Sequence, residues 1–322
     1  MPKVSVIIPI YNVEEYIEKA LNSVCEQTLK DIEIICVDDC STDKSKQIVE
    51  DFVAKDSRFR LISFDENKGQ GVARNVGIQS AQGEYLMFLD PDDWYAKNTC
   101  EIAYNHINLN DSDISTFNNF RYYEKSGKLV LFNFCNVLRP IEGSCWKHIF
   151  RTEFIKNNNI EFGMGKNCED NPFFLKSMIL TDKISRINVP LYYYRRRKDN
   201  SSCRKHMSKS FDIIDMKQKC FEIIKDERNK APQWSLNYCI KSSVVNFDLY
   251  YKKFKNKKLK KDFYNKTRNL FKLINNDAFF DKNLTEEVDI DEFKKIVKYN
   301  YYQYNTMKLV EKNITKLKES FF

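Results

Sequence analysis

Val4-Ser5-Val6-Ile7-Ile8-Pro9 opens the chain with a short run rich in β-branched residues and closed by a proline. A run apolar on both faces is the pattern of a strand buried inside a parallel sheet. The next ninety residues keep alternating. Val13, Tyr16, Ile17, Ala20, Leu21 and Val24 fall at helical spacing and predict an amphipathic helix over roughly 13–27. Ile32-Val37 reads as a second buried strand, ended by Asp38-Asp39. Ser41 and Thr42 then offer caps to a helix carrying Ile48, Val49 and Phe52. Leu61-Phe64 is a third strand, and Gly69-Gln70-Gly71 breaks the chain before a helix over about 72–80. Tyr85-Leu89 is a fourth strand, stopped by Asp90-Pro91-Asp92-Asp93. This alternation predicts βαβ units, so the expected fold class is α/β, with a Rossmann-like, mostly parallel sheet flanked by helices. No internal repeat is visible.

In such sheets ligands bind beyond the carboxyl ends of the strands. The sequence puts Tyr11-Asn12, Asp38-Asp39 and Asp90-Pro91-Asp92-Asp93 on that edge. Two acidic clusters on one edge repel each other unless a cation sits among them. That points to a hard divalent ion and a phosphorylated substrate. There is no GxxxxGK[ST] loop, and Gly69-Gln70-Gly71-Val72-Ala73-Arg74 is not a GxGxxG. Neither a P-loop enzyme nor a dinucleotide-binding dehydrogenase is expected.

The 322 residues are enough for about two domains. Charge divides them: residues 1–100 hold 11 Lys+Arg against 18 Asp+Glu, net −7, while the remainder is net +15. From about 208 the chain turns helical, with Lys, Tyr, Phe and Ile rising and glycine vanishing. We therefore expect one α/β domain over 1–207, carrying the acidic strand ends, and a basic helical region over 208–322. The ten cysteines are scattered without a CxxC pair and only three histidines accompany them, the pattern of reduced thiols in a cytosolic protein. No stretch approaches 18 consecutive apolar residues, and the first apolar run is too short for a signal peptide.

Four segments carry a resemblance. Val4 to Asn12, Val37-Asp38-Asp39-Cys40-Ser41-Thr42-Asp43, Gly71-Val72-Ala73-Arg74-Asn75-Val76-Gly77 and Phe88-Leu89-Asp90-Pro91-Asp92-Asp93-Trp94 resemble, in order and spacing, motifs of family 2 glycosyltransferases, which have the GT-A fold. By that resemblance the donor is a UDP-sugar. Pro9 and Tyr11 would lie against the base, Asp39 would accept a hydrogen bond from the uracil, and Arg74 would brace the nucleotide. Asp90-Pro91-Asp92 matches the family's DxD, so Asp92 would bind Mn²⁺ or Mg²⁺ at the diphosphate. Asp90 would contact ribose or a metal-bound water, and Asp93 would orient the sugar or support the metal. Cys40 departs from the pattern, since the family usually has glycine after the acidic pair.

Glu169-Asp170 opens a helical run with Pro172 in its first turn, which taken alone reads as capping and dipole compensation. The resemblance implies more: a Glu-Asp pair here supplies the catalytic base on its Asp. Asp170 would take the acceptor's proton, in line with the leaving diphosphate and with inversion, and Glu169 would orient the acceptor or cap the helix.

Tyr192-Tyr193-Tyr194-Arg195-Arg196-Arg197 is similar to the segment after the family's last core strand, where Arg197 or His206 could close over the pyrophosphate. A solvated basic loop is the equal alternative. His106 and His148 read as structural.

The run Lys252–Lys261 leaves three uses open: attachment to an anionic membrane surface, a solvated helical surface, or a homo-oligomer interface. No nucleic-acid-binding module is visible. The QxxRW of processive relatives is absent, since Trp94, Trp146 and Trp234 all lack a preceding Arg. The expectation is a single-addition, metal-dependent, inverting hexosyl- or N-acetylhexosaminyltransferase, cytoplasmic or peripheral on the inner membrane face. Its acceptor would be a glycan, free or lipid-linked, of a bacterial surface polysaccharide or lipooligosaccharide. The alternatives are a nucleotidyltransferase and a carbohydrate-binding relic of the fold.

Overall fold

The computed structural model describes residues 1–132, 144–164, 168–197, 210–275, 290–298, 304–305 and 308. The chain begins with β1 (Val4–Ile10), α1 (Ile17–Cys25), β2 (Ile32–Asp38), α2 (Ser45–Lys55), β3 (Phe59–Ser63), α3 (Gln70–Ser80) and β4 (Tyr85–Phe88). It continues through β5 (Trp94–Tyr95), α4 (Thr99–Leu109), β6 (Ile114–Tyr123), β7 (Lys128–Phe132), β8 (His148–Arg151), α5 (Thr152–Asn157), α6 (Asp170–Leu180) and β9 (Ile184–Arg196). One sheet results, in the order β3-β2-β1-β4-β8-β6-β9-β5, with β7 paired on β6. The first four strands are parallel, as the alternation predicts. Past β4 the sheet turns mixed, because β8 runs antiparallel to both β4 and β6.

β1 is buried along its whole length, as its unbroken apolar run requires. α1 covers it with Ile17, Ala20, Leu21 and Val24, the residues whose spacing marked the helix. A proline inside a central strand normally breaks a ladder. Pro9 is tolerated because β4 pairs β1 only as far as Ile7. Leu89 still donates to the Ile7 carbonyl at 3.0 Å, and beyond that point the β4 side of β1 has no strand to bond. The sheet thus splays open at the carboxyl end of its central pair.

Helix α3 lies directly on β1. A Cβ at Gly77 would come within 2.4 Å of the Ile7 side chain, so only glycine allows this approach. Gly71, in the first turn of α3, admits another segment: a Cβ there would sit 2.1 Å from the Gly163 carbonyl. Asn75 completes the contact, its amide exchanging two hydrogen bonds with the Phe162 backbone at 2.8 and 3.1 Å. Phe162 then stacks on Phe173 of α6 at 4.1 Å between centroids. The Gly71 and Asn75 contacts tie α3 to the chain that leads into α6.

The caps differ from expectation. Ser41 and Thr42 do not cap α2; they turn back to Asn12, Ser41 Oγ accepting its amide N–H and the Thr42 amide donating to its Oδ1. Asp43 serves α2 instead, accepting the Ser45 amide at 2.9 Å. Asn12 has φ +49°, a left-handed conformation that asparagine tolerates, so two polar turns lock together at the sheet edge.

The chain divides into two compact units, Met1–Lys205 and His206–Phe322. The second holds α7 (Ser210–Asp226), α8 (Gln233–Tyr251), α9 (Lys257–Asn275) and α10 (Ile290–Lys298). Its interior is aromatic: Phe247 and Tyr264 lie 6.0 Å apart, and Tyr304 packs 5.0 Å from Tyr264. Asn256 caps α9 by accepting the Lys258 and Leu259 amides. Lys252, Lys253, Lys255, Lys257 and Lys258 are exposed there while Phe254 turns inward. Among the described residues no helix is long and apolar enough to cross a membrane.

Candidate active site

The open carboxyl edge of the sheet collects the residues that the sequence motifs single out. Pro9, the last residue but one of β1, is buried in the core, and Tyr11, just beyond the strand, is 47% exposed. Asp39 is buried, and its carboxylate accepts the amides of Lys68 at 2.6 Å and Gly69 at 2.8 Å. It thereby holds the turn that starts α3. The Ser41 amide donates in the same way to Asp38. Backbone donors thus meet both carboxylates of this first acidic pair.

Between those carboxylates and the turn lies Cys40, at φ +61°. That region costs a side chain with a Cβ roughly 1–2 kcal/mol, which explains why glycine suits the position. Glycine in turn loses more chain entropy on folding. We expect Cys40→Gly to hold or raise stability by up to about 1 kcal/mol, read by chemical denaturation. A clear loss would mean that the 3.5 Å contact of its Sγ with the Asp65 carbonyl outweighs the strain.

Asp90, Asp92 and Asp93 take three different roles at the end of β4. Asp93 turns inward, 1% exposed, accepting the Tyr192 hydroxyl and the Arg195 amide, each at 2.7 Å. Burial, with Asp92 and Asp90 close by, pushes its carboxyl well above the usual range. It pins the acidic turn to β9. Tyr192 helps to hold the turn: its oxygen accepts the Asp90 amide, and Trp146 stacks on its ring at 4.4 Å. Asp92 pairs with Arg197 at 2.8 Å. Burial raises the Asp92 carboxyl despite that arginine, and Asp90 adds to the rise.

Asp90 pairs with Arg74 at 2.7 Å, and the other arm of the same guanidinium reaches Glu169 at 2.6 Å. Arg74 is therefore no surface helix residue; its side chain is 4% exposed. Burial opposes its charge, but the carboxylates around it, Asp90 and Glu169 foremost, outweigh burial and hold it firmly protonated. Gln70 donates to the same oxygen of Glu169. Gln70 and Arg74 are one helical turn apart on α3, a spacing that could have signalled a shared target. Glu169 is thus held by two donors from α3.

Asp170 stands at the head of α6, half-buried at its surface. Surrounding protein, then the Glu169 charge, push its carboxyl up to about 8 against the pull of Arg74. Such a carboxylate binds a proton near neutral pH, as general-base chemistry requires. Cys168, just before the pair, sits at φ +57°, so the backbone is strained where the chain enters this helix.

Asp90 and Asp92 are the oxygen donors a hard divalent cation takes. Among the described residues no group of three or more His, Cys, Asp or Glu could hold one alone. The pair fits a cation completed by other oxygens, such as those of a diphosphate. The repulsion expected between acidic clusters is met here by Arg74 and Arg197. His148 is buried in β8 against Thr116, 2.9 Å from its hydroxyl. His206 lies outside the described residues, and the eight described cysteines are free thiols.

A parallel half-sheet opening onto an acidic strand end, with a mixed half behind it, is the GT-A fold. The crystal structure of Staphylococcus aureus TarS 1–349 in complex with UDP-GlcNAc matches it with a TM-score of 0.71 at 23% identity, over 92% of this chain and 90% of that one. The chain belongs to glycosyl transferase family 2, whose family model matches residues 5–170. EpsH of Bacillus subtilis (strain 168) is 31% identical over 211 residues, 60% of this chain and 61% of EpsH. The poly(ribitol-phosphate) beta-N-acetylglucosaminyltransferase TarS of S. aureus (strain Mu50) is 33% identical over 227 residues, 66% of this chain and 38% of TarS. The chain thus spans less than two thirds of the length of either relative.

Proposed function

We propose that the protein is an inverting, metal-dependent glycosyltransferase moving one hexose or N-acetylhexosamine from a UDP-sugar to a glycan acceptor of the bacterial cell surface. The observation that carries this reading is Asp170, a carboxyl pushed up to about 8 and joined through Glu169 and Arg74 to the acidic strand end. The structure of TarS with UDP-GlcNAc supports the choice of donor. Pro9 and Tyr11 flank the splayed strands, where a base can lie flat against the chain. Asp39 holds the turn at Lys68 and Gly69, and the uracil would meet its carboxylate there.

Asp92 and Asp90 would hold Mn²⁺ or Mg²⁺, which supplies positive charge against the diphosphate as it departs. Asp170 accepts the proton of the acceptor hydroxyl as that oxygen attacks the anomeric carbon, and a single base opposite the leaving group means inversion. Arg74 anchors Glu169, the residue just before that base, and holding a base in position is one source of rate.

Calorimetry with UDP tests the donor and metal assignments together. The protein should bind UDP more tightly with Mn²⁺ than with EDTA, and Asp92→Asn should lose the difference because an amide is a poor ligand for a hard cation. Undiminished Mn²⁺ dependence in Asp92→Asn would place the metal elsewhere.

A further inference from the structure

Arg74 and Arg197 both neutralise a carboxylate of the acidic strand end, but they are held very differently. Arg74 is clamped: two carboxylates share its guanidinium, its side chain is 4% exposed, and it lies over Phe162 at 5.2 Å. Arg197 follows the last residue of β9, is 19% exposed and pairs with Asp92 at 2.8 Å. Its guanidinium rests on the Tyr16 ring at 4.2 Å, and its Nε, like that of Arg74, is buried with no hydrogen-bond partner among the described residues; what sets Arg197 apart is that one carboxylate holds it rather than two. A buried donor without a partner is a cost to the donor-free protein. A guanidinium with a spare N–H suits a phosphate, which it can bind through two parallel bonds.

Asp92 is also the residue read here as a ligand of the divalent cation. It cannot serve Arg197 and a metal ion equally, since both need its outward oxygens and both are cationic.

We propose that Arg197 is a built-in counter-ion for Asp92. In the donor-free protein its guanidinium holds the cation position, and it transfers to the donor's diphosphate when the diphosphate and a divalent ion bind together. The inference rests on the reading of Asp92 as a cation ligand. Free Mn²⁺ then binds poorly, because it must displace an ion pair already formed. UDP and Mn²⁺ bind cooperatively, because the diphosphate gives the displaced guanidinium a new partner and so lowers the cost of releasing Asp92.

The test is Mn²⁺ titration of the full chain, followed by electron paramagnetic resonance of the free ion, with and without UDP. Arg197→Gln should tighten donor-free Mn²⁺ binding by about tenfold or more and shrink the cooperativity with UDP. Tyr16→Leu leaves every formal charge in place and removes the ring beneath the guanidinium, which Arg195 also approaches at 5.0 Å, so it should move both quantities the same way by less. If Arg197→Gln binds free Mn²⁺ no better than the parent while Asp92→Asn abolishes Mn²⁺-dependent UDP binding, the counter-ion proposal alone fails. If the parent shows no Mn²⁺ dependence in UDP binding at all, the metal assignment fails and the proposal falls with it. Tightened Mn²⁺ binding with unchanged UDP cooperativity would overturn the transfer to the diphosphate.

Discussion

Asp170→Asn should bind UDP like the parent and transfer sugar about 10²–10⁴-fold more slowly, the usual cost of losing a general base. The amide keeps the size of the side chain at the head of α6 but accepts no proton. The effect of pH separates this from a structural failure. A base works in its deprotonated form, so with a carboxyl pushed up to about 8 the parent's kcat/KM should rise through that region and level off above it. The residual activity of Asp170→Asn should lack that limb.

Stability moves the other way. The folded carboxyl holds its proton more tightly than an unfolded one, whose ordinary value is about 4. Its contribution to stability is therefore full below about pH 4 and is lost as pH rises toward about 8. Removing the charge should leave Tm at about pH 8 equal to the parent's or higher. Near-normal turnover would put the base elsewhere, with Glu169 the next residue to test. A joint loss of donor affinity and Tm would instead favour a capping role for Asp170.

Arg74→Met should cost about 3–5 kcal/mol of stability, because it leaves two carboxylates facing each other in a buried place with no compensating charge. Glu169 is 4% exposed there and Asp90 23%. Arg74→Lys keeps the charge, yet an ammonium is a point donor and cannot span two carboxylates as the planar fork does. It should recover part of the stability while kcat stays low, since the link between the acidic strand end and the base helix remains broken. Chemical denaturation beside steady-state kinetics reads both. A loss below about 1 kcal/mol for Arg74→Met would show that the two ion pairs barely exceed their desolvation cost.

The parallel half of the fold was legible in the residues because burial there follows directly from sequence pattern. Val4–Ile10 is apolar on both faces and is buried on both, and the α1 stripe covers it at helical spacing. The acidic clusters were legible too, since they mark strand ends in a fold whose strand ends share an edge. Caps were less so. Ser41 and Thr42 are good N-cap residues, but Asn12, 29 residues before Ser41, competes for them across the sheet edge, and the local rule lost to a tertiary contact. The left-handed turn at Cys40 was visible only as a missing glycine.

By itself, then, the sequence determined which strands are buried, where the acidic turns fall, and which family's motifs they match. These depend on periodicity and residue type over short stretches of chain. Only the tertiary structure decided what each charged group faces. Asp93 and Asp92 are adjacent in the chain, yet one turns in to Tyr192 and the other out to Arg197. Arg74 reaches Glu169, 95 positions away, because glycine at 71 lets Gly163 and Glu169 close on α3. The reason is physical: the cost of burying a charge is set by the partners that surround it in space, and no local pattern specifies which those are.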